Sequence, residues 1–162
     1  MAEREIVGVY TALRDQALGF GQVEIKAPPV VDGGRMLGVV MDMGYDTAVV
    51  SIVGLADGTA SMYISNGGGM IGLGENPPVA AAAKRWVAVA EEVPGLEEGE
   101  EDALPTDGQV RFNVLTTEAP LAAGAPESEL AAGSHPLSPL YAAGQYLIGE
   151  IRKVDEARQA DT

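Results

Sequence analysis

Cysteine is absent from the 162 residues, and histidine occurs once, at position 135. Without thiols there is no disulfide framework, no thiolate zinc site and no cysteine nucleophile. A single histidine also falls short of the several ligands that zinc takes. Bases are scarce: 10 Lys and Arg stand against 24 Asp and Glu, for a formal net charge of −14. Nucleic acid is thereby disfavoured as a partner, because phosphate contacts need clustered Lys and Arg. No apolar run approaches the roughly 18 residues of a membrane span, and the start of the chain lacks the apolar core of a signal peptide. The expectation is a cytoplasmic protein that binds neither membrane nor nucleic acid. A domain of this length buries about 70% of the surface its unfolded chain exposes, so no metal or disulfide is needed to hold it. We expect one domain over residues 1–154 and a charged, frayed tail over 155–162.

What is plentiful is glycine, with 21 residues, and the densest stretch runs from Asp57 to Gly74. Asp57-Gly58 lies between apolar runs, a signal for a type I′ hairpin turn with positive φ at both central positions. Thr47–Ala56 before it is rich in Val and Ile. After it, Thr59, Ser61, Tyr63 and Ser65 alternate with Ala60, Met62 and Ile64, the period of a strand with one buried face. Gly67 to Gly72 then spells G-x-G-x-x-G. A dinucleotide fingerprint needs its helix to begin inside the glycine run. Here the helix starts no earlier than Asn76-Pro77-Pro78, where Asn caps and Pro suits the first turn. The glycines therefore read as a backbone crossing from strand to helix, or as a loop whose N–H groups meet an anion or a partner. The candidate ligand or partner loop comprises Ser65, Asn66, Gly67, Gly68, Gly69, Gly72, Gly74 and Glu75.

The remaining elements follow from periodicity. Residues 3–18 carry Ile6, Val9, Leu13 and Ala17 at helical spacing. Gln22 to Arg35 is extended and broken by Pro28-Pro29 and Gly33-Gly34, with room for a short strand at Val23–Ile25. Met36–Gly44 is a strand, and Met36, Met41, Met43 and Met62 read as core fillers. Val79–Val93 is a helix whose stripe is Val79, Ala83, Trp86, Ala90 and Val93, with Trp86 as core anchor. Glu91 to Asp107 holds eight acids and no base, and reads as a solvated loop or a docking segment for a cationic partner. Gln109–Leu115 alternates cleanly, with Val110, Phe112 and Val114 inward and Arg111 and Asn113 outward. Thr116–Ala125 is at best an edge strand. Ser138-Pro139 opens a last helix with the stripe Leu140, Ala143, Leu147, Ile151 and Val154. The fold class is α+β, with a single antiparallel sheet of four to five strands and three helices in the order α-β-β-β-α-β-(β)-α. The helices cover mainly one face.

The run Tyr63 to Glu75, Y-x-S-x-G-G-G-x-I-G-x-G-E, resembles a motif of a bacterial protein family without an assigned activity, as does Gly133-Ser-His-Pro-Leu-Ser-Pro-Leu-Tyr141. The resemblance spans about Met36 to Arg152 and implies no catalytic residues. In element order alone the chain is similar to type III secretion chaperones, which are small acidic dimers.

A Ser-His-Asp arrangement would have to use His135 with a distant serine such as Ser65, and no G-x-S-x-G elbow presents one. The acids at 97–102 lack the spacing of a calcium loop. We expect no catalytic residues, no metal and no cofactor. The reading is a non-enzymatic protein-interaction module, homodimeric, whose sheet and glycine loop meet a protein partner. Two alternatives stand beside it: a sensor binding a small anionic ligand at the Gly67–Gly74 loop, and an acidic chaperone-like or immunity-like protein covering a basic partner.

Overall fold

In the computed structural model of the chain the described residues are 6–18, 36–70, 72–99, 103–117 and 119–160. They form helix α1 (Gly8–Leu18), strands β1 (Met36–Gly44), β2 (Val49–Leu55), β3 (Ala60–Ile64) and β4 (Gly69–Met70), and a 3-10 turn at Leu73–Glu75. Helix α2 (Pro77–Glu92), β5 (Glu97–Glu98), β6 (Gln109–Thr116), β7 (Leu121–Pro126), α3 (Glu127–Ala131) and α4 (Ser138–Ala160) complete them. All strand pairs are antiparallel in one sheet of order β4-β3-β2-β1-β6-β7-β5.

The α+β class and the single antiparallel sheet agree with the sequence, but there are seven strands and four helices among the described residues rather than four to five and three. The additions β4, β5 and α3 have two, two and five residues. Elements so short have no room for a period to show. Two local expectations also need correction. Thr116–Ala125 was expected to give at best an edge strand; β7 is interior, paired with β6 on one side and β5 on the other. The glycine run does not cross directly into a helix but turns back as a second hairpin, β3–β4. The short strand expected at Val23–Ile25 lies outside the described residues.

α2 and α4 pack on one face of the sheet. Trp86, fully buried, joins three elements there, α2, α4 and β2: its indole N–H donates to the Leu140 carbonyl at 2.9 Å. Gly54 of β2 and Gly144 of α4 close on its ring. A Cβ on Gly54 would stand 2.7 Å from Trp86 Cε3, and one on Gly144 would stand 3.1 Å from Cε2. Val39, Met41, Ile52, Val110, Phe112, Val114, Leu147 and Ile151 fill this core. The residues alternating with them form a second core, where Tyr10 of α1 meets Val40, Val53, Leu55, Tyr63 and Leu115. The sheet is thus covered on both faces. Asn113, expected to face outward, is only 1% exposed. Of the methionines, Met36, Met41 and Met43 are buried and Met62 is partly so.

Candidate functional site

The glycine loop is built as a hairpin turn. Gly67 N–H donates to the Ile64 carbonyl and Ile64 N–H to the Gly68 carbonyl, closing a three-residue loop of Ser65, Asn66 and Gly67. The Asp57-Gly58 turn has the same form, with Gly58 N–H on Leu55 and Leu55 N–H on Thr59, so it is a three-residue loop rather than the two-residue type I′. Both end on a positive-φ glycine, Gly58 at 95° and Gly67 at 108°, as such loops require.

The eight candidate residues divide by environment. Ser65 is fully buried; its hydroxyl accepts from Val49 N–H at 2.8 Å, and its carbonyl accepts from Val7 N–H just before α1. A Cβ on Gly69 would press to 2.4 Å from the Met62 carbonyl, and one on Gly74 to 2.5 Å from the Gly58 carbonyl. These three hold β2, β3 and the 3-10 turn together. Asn66, Gly67, Gly68, Gly72 and Glu75 are exposed. The turn therefore spends Gly67 N–H internally, and Glu75 brings a negative charge to any anion.

A site that the alternating pattern hid lies beneath α1. Asp42, in mid-β1 opposite Ser51 and Arg111, has no exposure. Arg14 forks onto it, with Nη2 donating to Oδ2 at 2.7 Å and Nε to both oxygens at 3.2 and 3.3 Å. Ser51 donates to Oδ1 at 2.5 Å, and Tyr10 OH lies 2.6 Å from Ser51 Oγ. Since the serine proton is spent on Asp42, Tyr10 is the donor in that last bond. The signal available in sequence was a lone Asp inside the apolar run Met36–Met43. The network keys α1 to the sheet.

His135 is held by the loop before α4: its ring Nδ1 accepts from Leu137 N–H at 3.1 Å, and its backbone N–H donates to Ser138 Oγ at 3.2 Å. It shapes the entry to α4, and Ser65 is spent on Val49, so neither serves the other. Near the β1–β2 turn, Tyr141 OH donates to Glu127 Oε2 at 3.1 Å. Burial first, then the Glu127 charge and that hydrogen bond, push the Tyr141 phenol up to about 12. Tyr45 beside it is raised by burial and by Glu127, with Arg152 pulling the other way. Among the described residues no group of three or more His, Asp or Glu is placed to hold a metal.

The outer face of the helical layer is the remaining feature. α2 and α4 leave an open groove between them, lined by Pro78, Ala81, Arg85 and Val89 on one wall and by Ala142 and Tyr146 on the other. Tyr146 is 61% exposed, the most exposed of the large apolar side chains among the described residues. A shallower hollow shares Pro139 and Ala142 with it and reaches His135. The groove offers apolar walls, one cation and one aromatic hydroxyl. No family model matches the chain, and no curated protein or solved structure matches it either.

Proposed function

We propose that the chain is a protein-interaction module that acts by binding rather than catalysis and pairs with a second copy of itself through the outer face of α2 and α4. The observation that carries this reading is the groove, with Tyr146 standing 61% exposed over a wall of Pro, Ala and Val. Tyrosines that expose an apolar ring and a polar tip are enriched where protein surfaces meet.

The expectation that the sheet meets a protein partner has less support at the sheet's edges. Both edges end in two-residue strands, β4 and β5, and β5 consists of two exposed glutamates. Short and charged edges resist the addition of further strands.

Light scattering on the purified chain tests the reading. A mass of two chains at micromolar concentration is expected, with Tyr146→Glu shifting the equilibrium toward one. A wild-type chain that remains a monomer at that concentration overturns it.

A further inference from the structure

The charges on α2 run against its own dipole. A helix favours acids in its first turn and bases in its last, yet α2 has no acid in the first turn and no base in the last. Instead Lys84 and Arg85 precede Glu91 and Glu92. Glu91 has a local reason, since its Oε1 accepts from Met36 N–H at 2.8 Å and ties the end of α2 to the start of β1. Among the described residues no hydrogen bond or ion pair gives Glu92 a comparable role.

Ala81, Arg85, Ala88 and Glu92 lie at spacings i, i+4, i+7 and i+11, which is one stripe of a helix. Ala81, Arg85 and Glu92 are exposed and Ala88 is half-buried. The opposite stripe, Val79, Ala83, Trp86 and Ala90, faces the sheet, so this one faces solvent. Its base and acid stand seven residues apart, about 10.5 Å along the axis, with a small side chain between them.

Resting on the self-pairing proposed above, we propose that two copies meet about a two-fold axis beside Ala88, with their α2 helices antiparallel and Arg85 of each facing Glu92 of the other. An isologous interface brings residue i against j and j against i. A stripe with a base at one end and an acid at the other is self-complementary only in the antiparallel sense; the parallel sense sets Arg85 against Arg85. Ala88, at the axis, permits close approach of the two helices. The second α2 also supplies cations where Glu92 opposes its own helix end. Val89 and Tyr146 flank the seam and add apolar cover.

Charge reversal on the full chain tests this, with dissociation constants read by analytical ultracentrifugation and folding checked by circular dichroism. Arg85→Glu alone and Glu92→Arg alone each turn two attractive contacts into two repulsive ones. Each is expected to weaken the dimer about tenfold. The double variant is expected to return to within a few-fold of wild type. An equimolar mixture of the two single variants is expected to form a heterodimer tighter than either homodimer, because every crossing pair is then opposite in sign. A wild-type dimer indifferent to both reversals overturns the antiparallel α2 seam and leaves self-pairing standing. A wild-type monomer overturns self-pairing itself.

Discussion

Asp42 has no exposure, and its charge is tolerable in mid-sheet only because Arg14 forks onto it and Ser51 donates to it. Asp42→Ala is expected to cost about 3–5 kcal/mol, since the buried Arg14 guanidinium loses its carboxylate partner. The paired replacement Arg14→Met with Asp42→Leu is expected to lie near wild type or above it, because apolar packing avoids desolvating both ions. Urea unfolding of the three proteins decides: similar losses in the single and paired variants would mean that the network matters by shape rather than by charge. Tyr141 gives a second prediction at this scale. Its phenol rises from an ordinary value near 10 to about 12 through burial, the Glu127 charge and the hydrogen bond to it. A folded-state pKa above the unfolded one means that the folded chain holds the proton longer. The stabilisation is therefore complete below pH 10 and is lost as pH climbs through 12. Absorbance titration near 295 nm should show a tyrosinate step near pH 12, and Tyr141→Phe should remove it. A step near pH 12 unchanged in Tyr141→Phe would assign it elsewhere.

Among the elements, legibility followed length and alternation. Met36–Gly44 was read to the residue, because apolar side chains fill it and a turn closes it. The buried stripes of α2 and α4 followed from helical spacing, apart from Val93, Ala143 and Val154, which are only partly buried. β4, β5 and α3 could not be read, since their two to five residues carry no period. The outward face of β6 was misjudged for a different reason. Alternating polar residues normally mark solvent, but here that face is covered: α1 brings Arg14 onto Asp42, and Asn113 is buried as well. Of the candidate loop, its turn chemistry was legible in Gly67, while the buried role of Ser65 depends on Val49 and Val7, remote in sequence. The Trp86 junction makes a testable claim about how the layers hold. Gly54→Ala would push a methyl to 2.7 Å from the ring and is expected to cost about 1–3 kcal/mol by overpacking. Trp86→Phe loses the bond to Leu140 and leaves a void, yet makes room for that methyl. Combined, the two should cost less than the sum of the single losses. Strict additivity in chemical unfolding would separate Gly54 from the ring.

For the whole molecule the net charge of −14 sets how pairing should respond to salt. Two such bodies with centres about 30 Å apart repel by on the order of 25 kcal/mol in unscreened water. At 10 mM salt the Debye length is about 30 Å and roughly a third of that survives. At 150 mM the length is about 8 Å, and under about 1 kcal/mol is left. The ion pairs across the seam change much less, since exposed pairs contribute about 0.2–1 kcal/mol each at the outset. Net repulsion therefore wins at low salt. The dimer is expected to tighten between 10 and 150 mM and to change little beyond, as apolar contact around Tyr146 and Val89 is left to hold it. Acidification toward the isoelectric point near 4.2 should act in the same direction, by discharging the carboxylates. A complex between this chain and a basic partner would behave oppositely and loosen as salt rises. Sedimentation across a salt series thus separates the two modes of association. A dimer that falls apart steadily from 10 to 150 mM would show that ionic contacts rather than the apolar groove hold the copies together.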